Sequence, residues 1–334
     1  MSPSRDPGLL EDQLRAELET RRAADLLRFE HPLSSAPGPE VQMEGRRYLH
    51  FCSNNYLGLA DHREVIEAAQ HAALRFGAGS GASRLISGTC ELALRLESSL
   101  AEFKQTEAAI VFSSGYLANC GLLASLAQKP DMLFLDKLCH ASLIDAGRLS
   151  DAMMRVYPHK NLDALERLLQ GAEKARRRII VTDGVFSMDG DIAPIHDLLE
   201  LADKYNAYLI VDDAHGFGVF GEHGRGTAEQ FRAEKNPRLI QVGTLSKALG
   251  SAGGFVTGTK ALIEFLRNTA RTYMFDTAPS PAALGAAAKA LEILGREPDR
   301  RKRLWNWVSW LQKDLTRHGW DLTSSESPIM PLVI

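Results

Sequence analysis

The hydrophobic pattern of the chain changes period along its length. From Glu11 to Phe29, Leu14, Leu18, Leu26 and Leu27 recur at roughly helical spacing among Arg and Glu, which predicts an amphipathic helix with Arg21, Arg22 and Arg28 on its solvated face. Pro32 to Pro39 breaks it, Tyr48–Phe51 reads as a short strand, and Ser53–Gly58 is a loop rich in turn formers. A helix is expected from about Glu91 to Phe103. Beyond it, apolar runs predict strands at Ala108–Phe112, Met132–Leu135, Met154–Tyr157, Arg178–Thr182, Ala207–Val211, Leu239–Val242 and Gly254–Thr257. Helical periods separate most of them, for example Leu162–Gln170 and Ile195–Tyr205. Such alternation predicts a mainly parallel seven-stranded α/β sheet between helices, joined by right-handed crossovers. Ser280–Leu294 and Asp299–Arg317 are again helical, and Ile329–Ile334 reads as the start of another strand.

This pattern divides the chain into an N-terminal helical segment (1–45), a large domain (46–280) and the start of a C-terminal small domain (281–334). The 334 residues carry a net charge of −3 with 24% charged residues, which points to neither a nucleic-acid nor a membrane surface. Cys52, Cys90, Cys120 and Cys139 are scattered without a paired framework, as in a reducing compartment. The first residues are polar, unlike a signal peptide, and no apolar run is long enough to span a bilayer, so a soluble cytoplasmic protein is expected.

Candidate chemistry gathers where the strands end. Tyr208–Val211 runs into Asp212-Asp213-Ala214-His215-Gly216, and Leu239–Val242 into Gly243-Thr244-Leu245-Ser246-Lys247. In an open parallel sheet, the carboxyl edge is where ligands bind. A carboxylate, an imidazole and a lysine at that edge suit pyridoxal 5′-phosphate (PLP). The lysine can hold the aldehyde as a Schiff base, and a carboxylate facing the ring nitrogen keeps it protonated. His215 is placed to contact the ring or its phenolic oxygen. The plainer reading of each residue alone is a turn-capping Asp and a lysine on a solvated loop.

Further positions fall at the same edge. Ser113-Ser114-Gly115-Tyr116 leads from a strand into the helix Leu117–Leu126, whose N-terminus can hold a phosphate, or Ser114 is an ordinary N-cap. His140 can stack on a flat ring from the face opposite the Asp212 strand, or it is a turn histidine. Ser187, within Asp183–Asp191, can donate a hydrogen bond, and the Asp and Gly residues after it look like turn chemistry. The glycine-rich Gly77–Arg84 segment is a weak signal alone. Gly216-Phe217-Gly218-Val219-Phe220-Gly221 matches G-x-G-x-x-G, but Asp212 to His215 separate it from the strand and no helix start follows, so a dinucleotide site is rejected. A metal site from Asp212, His215 and His223 fits no common ligand spacing.

The motifs in combination identify a family. Arg21–Arg28, Ser53-Asn54-Asn55-Tyr56-Leu57-Gly58, Ser114–Asn119, His140-Ala141-Ser142-Leu143, Gly184–Asp191, Asp212–Gly216 and Gly243–Ala248 resemble the α-oxoamine synthase family of fold-type I PLP-dependent enzymes, from about Glu11 onward. The resemblance implies that Lys247 is the Schiff-base lysine, Asp212 the ring-nitrogen partner and His140 the stacking histidine. It places His215 and Ser187 near the phenolic oxygen, Ser114, Gly115, Tyr116 and Thr244 on the phosphate side, and Asn54 and Arg28 toward substrate. The N-terminal arginines favour a member that condenses L-alanine with a pimeloyl thioester, on CoA or acyl carrier protein, with loss of CO2, at a homodimer interface. The alternatives are a sibling using glycine or serine with another acyl-CoA, or a non-catalytic PLP-binding protein. The chain departs from the family pattern at Ala93, where a histidine is usual, and at Asp276, where relatives carry Ser or Thr. That leaves Thr277 as the contact to a neighbouring subunit's phosphate. Relatives also continue past Ile334 into a small domain with a carboxylate-gripping arginine, so the chain is expected to be C-terminally short.

Overall fold

The computed structural model describes residues 9–322 and 325–333. They fall into two compact units, one ending at Phe51 and one from Cys52 onward. The boundary thus lies a few residues beyond the expected 45/46, and residues 281–334 group with the large unit.

In the first unit the helix spans Leu10–Ala23 and buries none of its residues. It stops short of the expected Phe29 because Asp25 turns left-handed at φ 54. The Asp25 and Leu26 amides then bond back to the Arg22 and Arg21 carbonyls, a Schellman-type end. A hairpin follows: β1 (Glu40–Met43) pairs antiparallel with β2 (Arg46–Leu49). Its two-residue turn, Glu44-Gly45, has both φ values positive, the geometry that matches strand twist.

The second unit is built on one sheet of seven strands: β3 (Ala108–Phe112), β4 (Met132–Asp136), β5 (Met153–Tyr157), β6 (Arg178–Asp183), β7 (Ala207–Asp212), β8 (Leu239–Thr244) and β9 (Gly254–Gly258). The order is β3-β9-β8-β7-β6-β4-β5, with only β9 antiparallel to its neighbours. Central strands are buried on both faces, which is why they read as unbroken Ile, Leu and Val runs rather than alternating ones. One face packs Leu122, Leu123 and Leu143 against Ile179, Val181 and Ile210. The opposite face carries Leu96 and Leu100 of the helix Glu91–Phe103, with Phe255 and Val111 from the sheet.

The helix Pro281–Arg296 joins that second layer through Leu284, Ala287, Ala290 and Leu291, which accounts for its place in the large unit. It runs close to the helix Arg63–Phe76, where a Cβ on Gly285 would lie 2.6 Å from that of Ala72. Ala93, the position where the family has a histidine, is buried in this layer. Asp299–Arg317 is helical as expected. The expected strand at Ile329–Ile334 is not formed over 329–333, and Ile334 lies outside the described residues. The preceding segment instead ties to a loop, Glu326 N donating to Gly190 O at 3.0 Å. Among the described residues, no helix is long and apolar enough to cross a membrane.

Candidate active site

The parallel strands β4, β6, β7 and β8 end side by side in Asp136, Asp183, Asp212 and Thr244. Over that edge lies a cavity of about 240 Å³ lined by Ser114, Gly115, Tyr116, His140, Asp212, His215, Thr244 and Lys247. Eight residues singled out in the sequence therefore meet in one place. The remaining sequence candidates do not line it. Ser187 stands on the loop beyond Val185, Thr277 is exposed away from the cavity with its carbonyl accepting from Ser113 Oγ, and Arg28 is an exposed residue of the first unit. Asn54 is linked to the cavity wall through the Tyr56 hydroxyl, which lies between Asn54 Oδ1 and His215 Nδ1.

Asp212 is held from two sides. Asn119 Nδ2 donates to its Oδ2 at 2.6 Å, and Ala214 N donates to its Oδ1 at 3.0 Å. The same Asn119 amide donates to Ser142 Oγ at 2.8 Å, and Ser142 Oγ lies 2.7 Å from His140 Nδ1. One buried network thus sets both the carboxylate and the imidazole. Asp183, level with Asp212 across the sheet, donates nothing to it; its Oδ1 accepts the His140 amide at 3.1 Å. Burial, and then the Asp212 charge beside it, push the Asp183 carboxyl well above the usual range, so it holds its proton.

A second chain of contacts leads from Lys247. Its Nζ lies 2.6 Å from His215 Nε2, and His215 Nδ1 lies 2.6 Å from the Tyr56 hydroxyl, which points on to Asn54 Oδ1 at 3.5 Å. Burial pushes the Tyr56 phenol up, so it keeps its proton. Burial, with Lys247 and His140 nearby, depresses His215 to about 3, so its imidazole is neutral. A neutral ring has one N–H. With Lys247 as an ammonium donating to Nε2, that hydrogen sits on Nδ1 and donates to the phenol oxygen, which leaves the phenol hydrogen for Asn54 Oδ1. Lys247 itself is lowered by burial, against the opposing pull of Asp212.

At the other end, Ser114 Oγ accepts Leu117 N at 3.1 Å, so it is the N-cap of the helix Gly115–Leu126 as well as part of the cavity wall. Thr244 Oγ1 lies 2.7 Å from Ser246 Oγ. Backbones approach here closely enough that a Cβ on Gly254 would sit 2.5 Å from Gly115 Cα. Tyr116 is committed through its hydroxyl to Asp145, which pushes the phenol up to about 12.

This donor set fits PLP: an amine for the aldehyde, a carboxylate for the ring nitrogen, an imidazole at the wall, and a helix N-terminus with hydroxyls for the phosphate. Asn119, Ser142, Asp183, Ser246 and Tyr56 were not singled out from sequence. Asn119 lies one helical turn after Gly115 and Ser142 two residues after His140, so local spacing carried a signal for both; Tyr56 meets His215 across 159 positions and had none. The rejected G-x-G-x-x-G stretch is a turn without a helix at its last glycine. His223 bonds Glu229 rather than joining Asp212.

Residues 46–334 match the family model "Aminotransferase class I and II", which makes the chain a PLP-dependent enzyme of that fold. It is 45% identical over 321 residues to 8-amino-7-oxononanoate synthase 1 of Bacillus subtilis, covering 96% of this chain and 82% of that one. The chain belongs to the 8-amino-7-oxononanoate synthase family of PLP-dependent C-acyltransferases. Among solved structures it is similar to Sphingomonas wittichii serine palmitoyltransferase (TM-score 0.88, 34% identity, covering 96% of this chain and 80% of that one). It is also similar to a high-resolution structure of SPT with PLP internal aldimine (TM-score 0.89, 32% identity, covering 98% and 82%).

Proposed function

We propose that the chain condenses L-alanine with a pimeloyl thioester, releasing CO2 and the free thiol to give 8-amino-7-oxononanoate, a step of biotin biosynthesis. The observation that carries this reading is that Lys247 Nζ and the Asp212 carboxylate share one cavity with His140 and a helix N-terminus. The bound cofactor supplies an electron sink for the alanine α-carbon. Lys247, lowered by burial, is suited to take the α-proton as a free amine. His215 Nε2 receives a hydrogen bond from the resulting ammonium and keeps it aimed. Asn119 fixes the Asp212 carboxylate that would face the ring nitrogen.

The proposed working unit is a homodimer. Thr277 supports it: the residue is exposed beside the exposed Phe275 and away from its own cavity, so its contribution to a phosphate would come from a second copy. The proposed setting is the cytoplasm, in keeping with four free cysteines. A second reading, serine or glycine as the amino acid, is favoured by the likeness to serine palmitoyltransferase. The test incubates the PLP-loaded chain with each amino acid and with pimeloyl-CoA or pimeloyl-acyl carrier protein, following products by mass spectrometry. Alanine-dependent 8-amino-7-oxononanoate supports the first reading. Turnover with serine or glycine alone replaces it, and PLP binding without turnover leaves a non-catalytic protein.

A further inference from the structure

Outside the cavity, a histidine joins two loops that enter it. His159 follows β5, and both of its ring nitrogens face carboxylates: Nδ1 lies 2.9 Å from Asp136 Oδ1 and Nε2 lies 2.9 Å from Asp191 Oδ2. Phe186 closes one side of the ring, edge-on at 4.4 Å between centroids. A carboxylate only accepts, so two such contacts require N–H on both nitrogens, which is the imidazolium.

The carboxylates are the closing points of two turns. Asp136 ends β4 and accepts Leu138 N at 2.8 Å and Lys160 N at 2.9 Å, and four residues later the same turn presents His140. Asp191 closes the loop 184–193, in which Phe186 N donates to Asp191 O and Gly190 N donates to Phe186 O. That loop places Val185 in the cavity wall and carries Ser187. Asp191 is thus more than a turn former.

We propose that His159 is a positioning residue for the cofactor cavity: its imidazolium, shared between Asp136 and Asp191, ties the turn that presents His140 to the loop that presents Val185 and Ser187. The proposal rests on the reading of the cavity as a PLP site. The charged and titratable groups around the ring are few. Lys160 Nζ bonds Asp191 Oδ2 at 2.9 Å and lies 3.6 Å from Glu326, whose Oε2 accepts Ile192 N. On the strand side, Tyr157 and Cys139 lie near Asp136, and burial raises both so that they stay neutral. Asp183 lies near Asp136 too and holds its proton. No cation besides Lys160 among the described residues meets this carboxylate pair. Burial alone would lower His159; the hydrogen bonds to Asp136 and Asp191 outweigh it, and the net shift is upward. The clamp is therefore fully formed below the ordinary histidine range and is lost as pH rises through the raised value.

The test begins on the cofactor-free chain, so that it does not depend on turnover. Hydrogen exchange of the 137–140 and 186–192 amides is followed against pH in the wild type, after correction for the base dependence of exchange. NMR follows titration of the His159 ring in parallel. The proposal expects exchange in both segments to rise by about tenfold as the ring deprotonates, and His159→Gln to show the faster exchange at every pH. In the PLP-loaded chain, His159→Gln is expected to lower PLP affinity and kcat by about tenfold with little change in the KM for the thioester. Exchange that is flat through the titration of His159 in the wild type overturns the proposal, whether or not the variant folds. Coupled exchange in a chain that binds no PLP overturns the cavity reading instead, and leaves His159 as a clamp between loops only.

Discussion

Lys247 Nζ and His215 Nε2 lie 2.6 Å apart, although 32 residues separate them and they stand beyond the ends of different strands. The contact is a donor meeting an acceptor, because His215 is neutral and its other nitrogen serves Tyr56. A lysine whose lone pair must be available for chemistry is thereby stored as a hydrogen-bonded ammonium in a buried site that favours its loss of charge. Replacing His215 with Asn is expected to lower kcat by about tenfold to a hundredfold, with PLP still bound. Tyr56→Phe is expected to give a smaller loss in the same direction. Stopped-flow and steady-state kinetics on the two variants check the order; a Tyr56→Phe effect exceeding that of His215→Asn would break the relay as drawn.

Lys247→Ala is expected to lower turnover by at least about a thousandfold, since among the described residues no other amine lines the cavity. Borohydride treatment of the PLP-loaded wild type, followed by peptide mapping, places the label on Lys247. A label elsewhere would remove the basis of the site.

The cofactor-free chain should lose stability on mild acidification because of His215. Its folded value, about 3, lies below the ordinary 6.5, so the unfolded chain binds a proton that the folded chain refuses between those limits. The contribution is complete above the ordinary value and falls by about 1.4 kcal/mol per pH unit as pH drops through the window. Urea unfolding between pH 4 and 6 measures it, and the His215→Asn variant should show a slope shallower than the wild type's by about that amount. Equal slopes in the two proteins would mean that His215 is protonated in the fold.

Asn119→Ala removes the amide that donates to Asp212 and to Ser142. A hydrogen bond to a buried charge is worth about 1.5–3 kcal/mol, so PLP affinity should fall by about tenfold to a hundredfold. Ser142→Ala, which touches only His140 and Asn119, should cost less. Absorbance titration with PLP checks both, and an unchanged affinity in Asn119→Ala would show that Ala214 N alone orients the carboxylate.

How much of this was legible in sequence depends on how far each contact reaches. The sheet was legible, because buried parallel strands write themselves as apolar runs ending in turn formers. Asp212, Lys247 and His140 were legible because function sits where those runs stop. The helix end at Ala23 was not, because Asp25 in a left-handed turn is a backbone choice that the leucine spacing does not encode. Residues 329–333 carry strand-like composition, yet a strand needs a partner, and the segment before them is instead tied to the loop at Gly190. Tyr56 and His159 act on partners contributed by other loops, and only the folded chain brings those loops together.

Asp213 stands beside Asp212 in the sequence and serves the fold rather than the cavity. Successive positions at a strand end point to opposite sides, so Asp213 turns away from the cavity into the loops behind it. There its carboxylate meets Lys104 Nζ at 3.3 Å and accepts from Thr227 Oγ1 at 2.8 Å, both partners fully buried. Lys104 also donates to the Arg225 carbonyl. Space for the carboxylate is made by glycines: a Cβ would lie 2.0 Å from Asp213 Oδ1 at Gly216 and 1.7 Å from Oδ2 at Gly226. The first glycine of the G-x-G-x-x-G stretch therefore serves an ion pair. Burial disfavours the charge on both partners, so each depends on the other. Lys104→Met should destabilise the chain by about 3–5 kcal/mol by stranding Asp213, whereas Lys104→Met combined with Asp213→Asn should recover part of that loss. Urea unfolding of the four proteins in the double-mutant cycle decides it. A double variant as unstable as the sum of its singles would mean that Lys104 and Asp213 are packed together without being coupled.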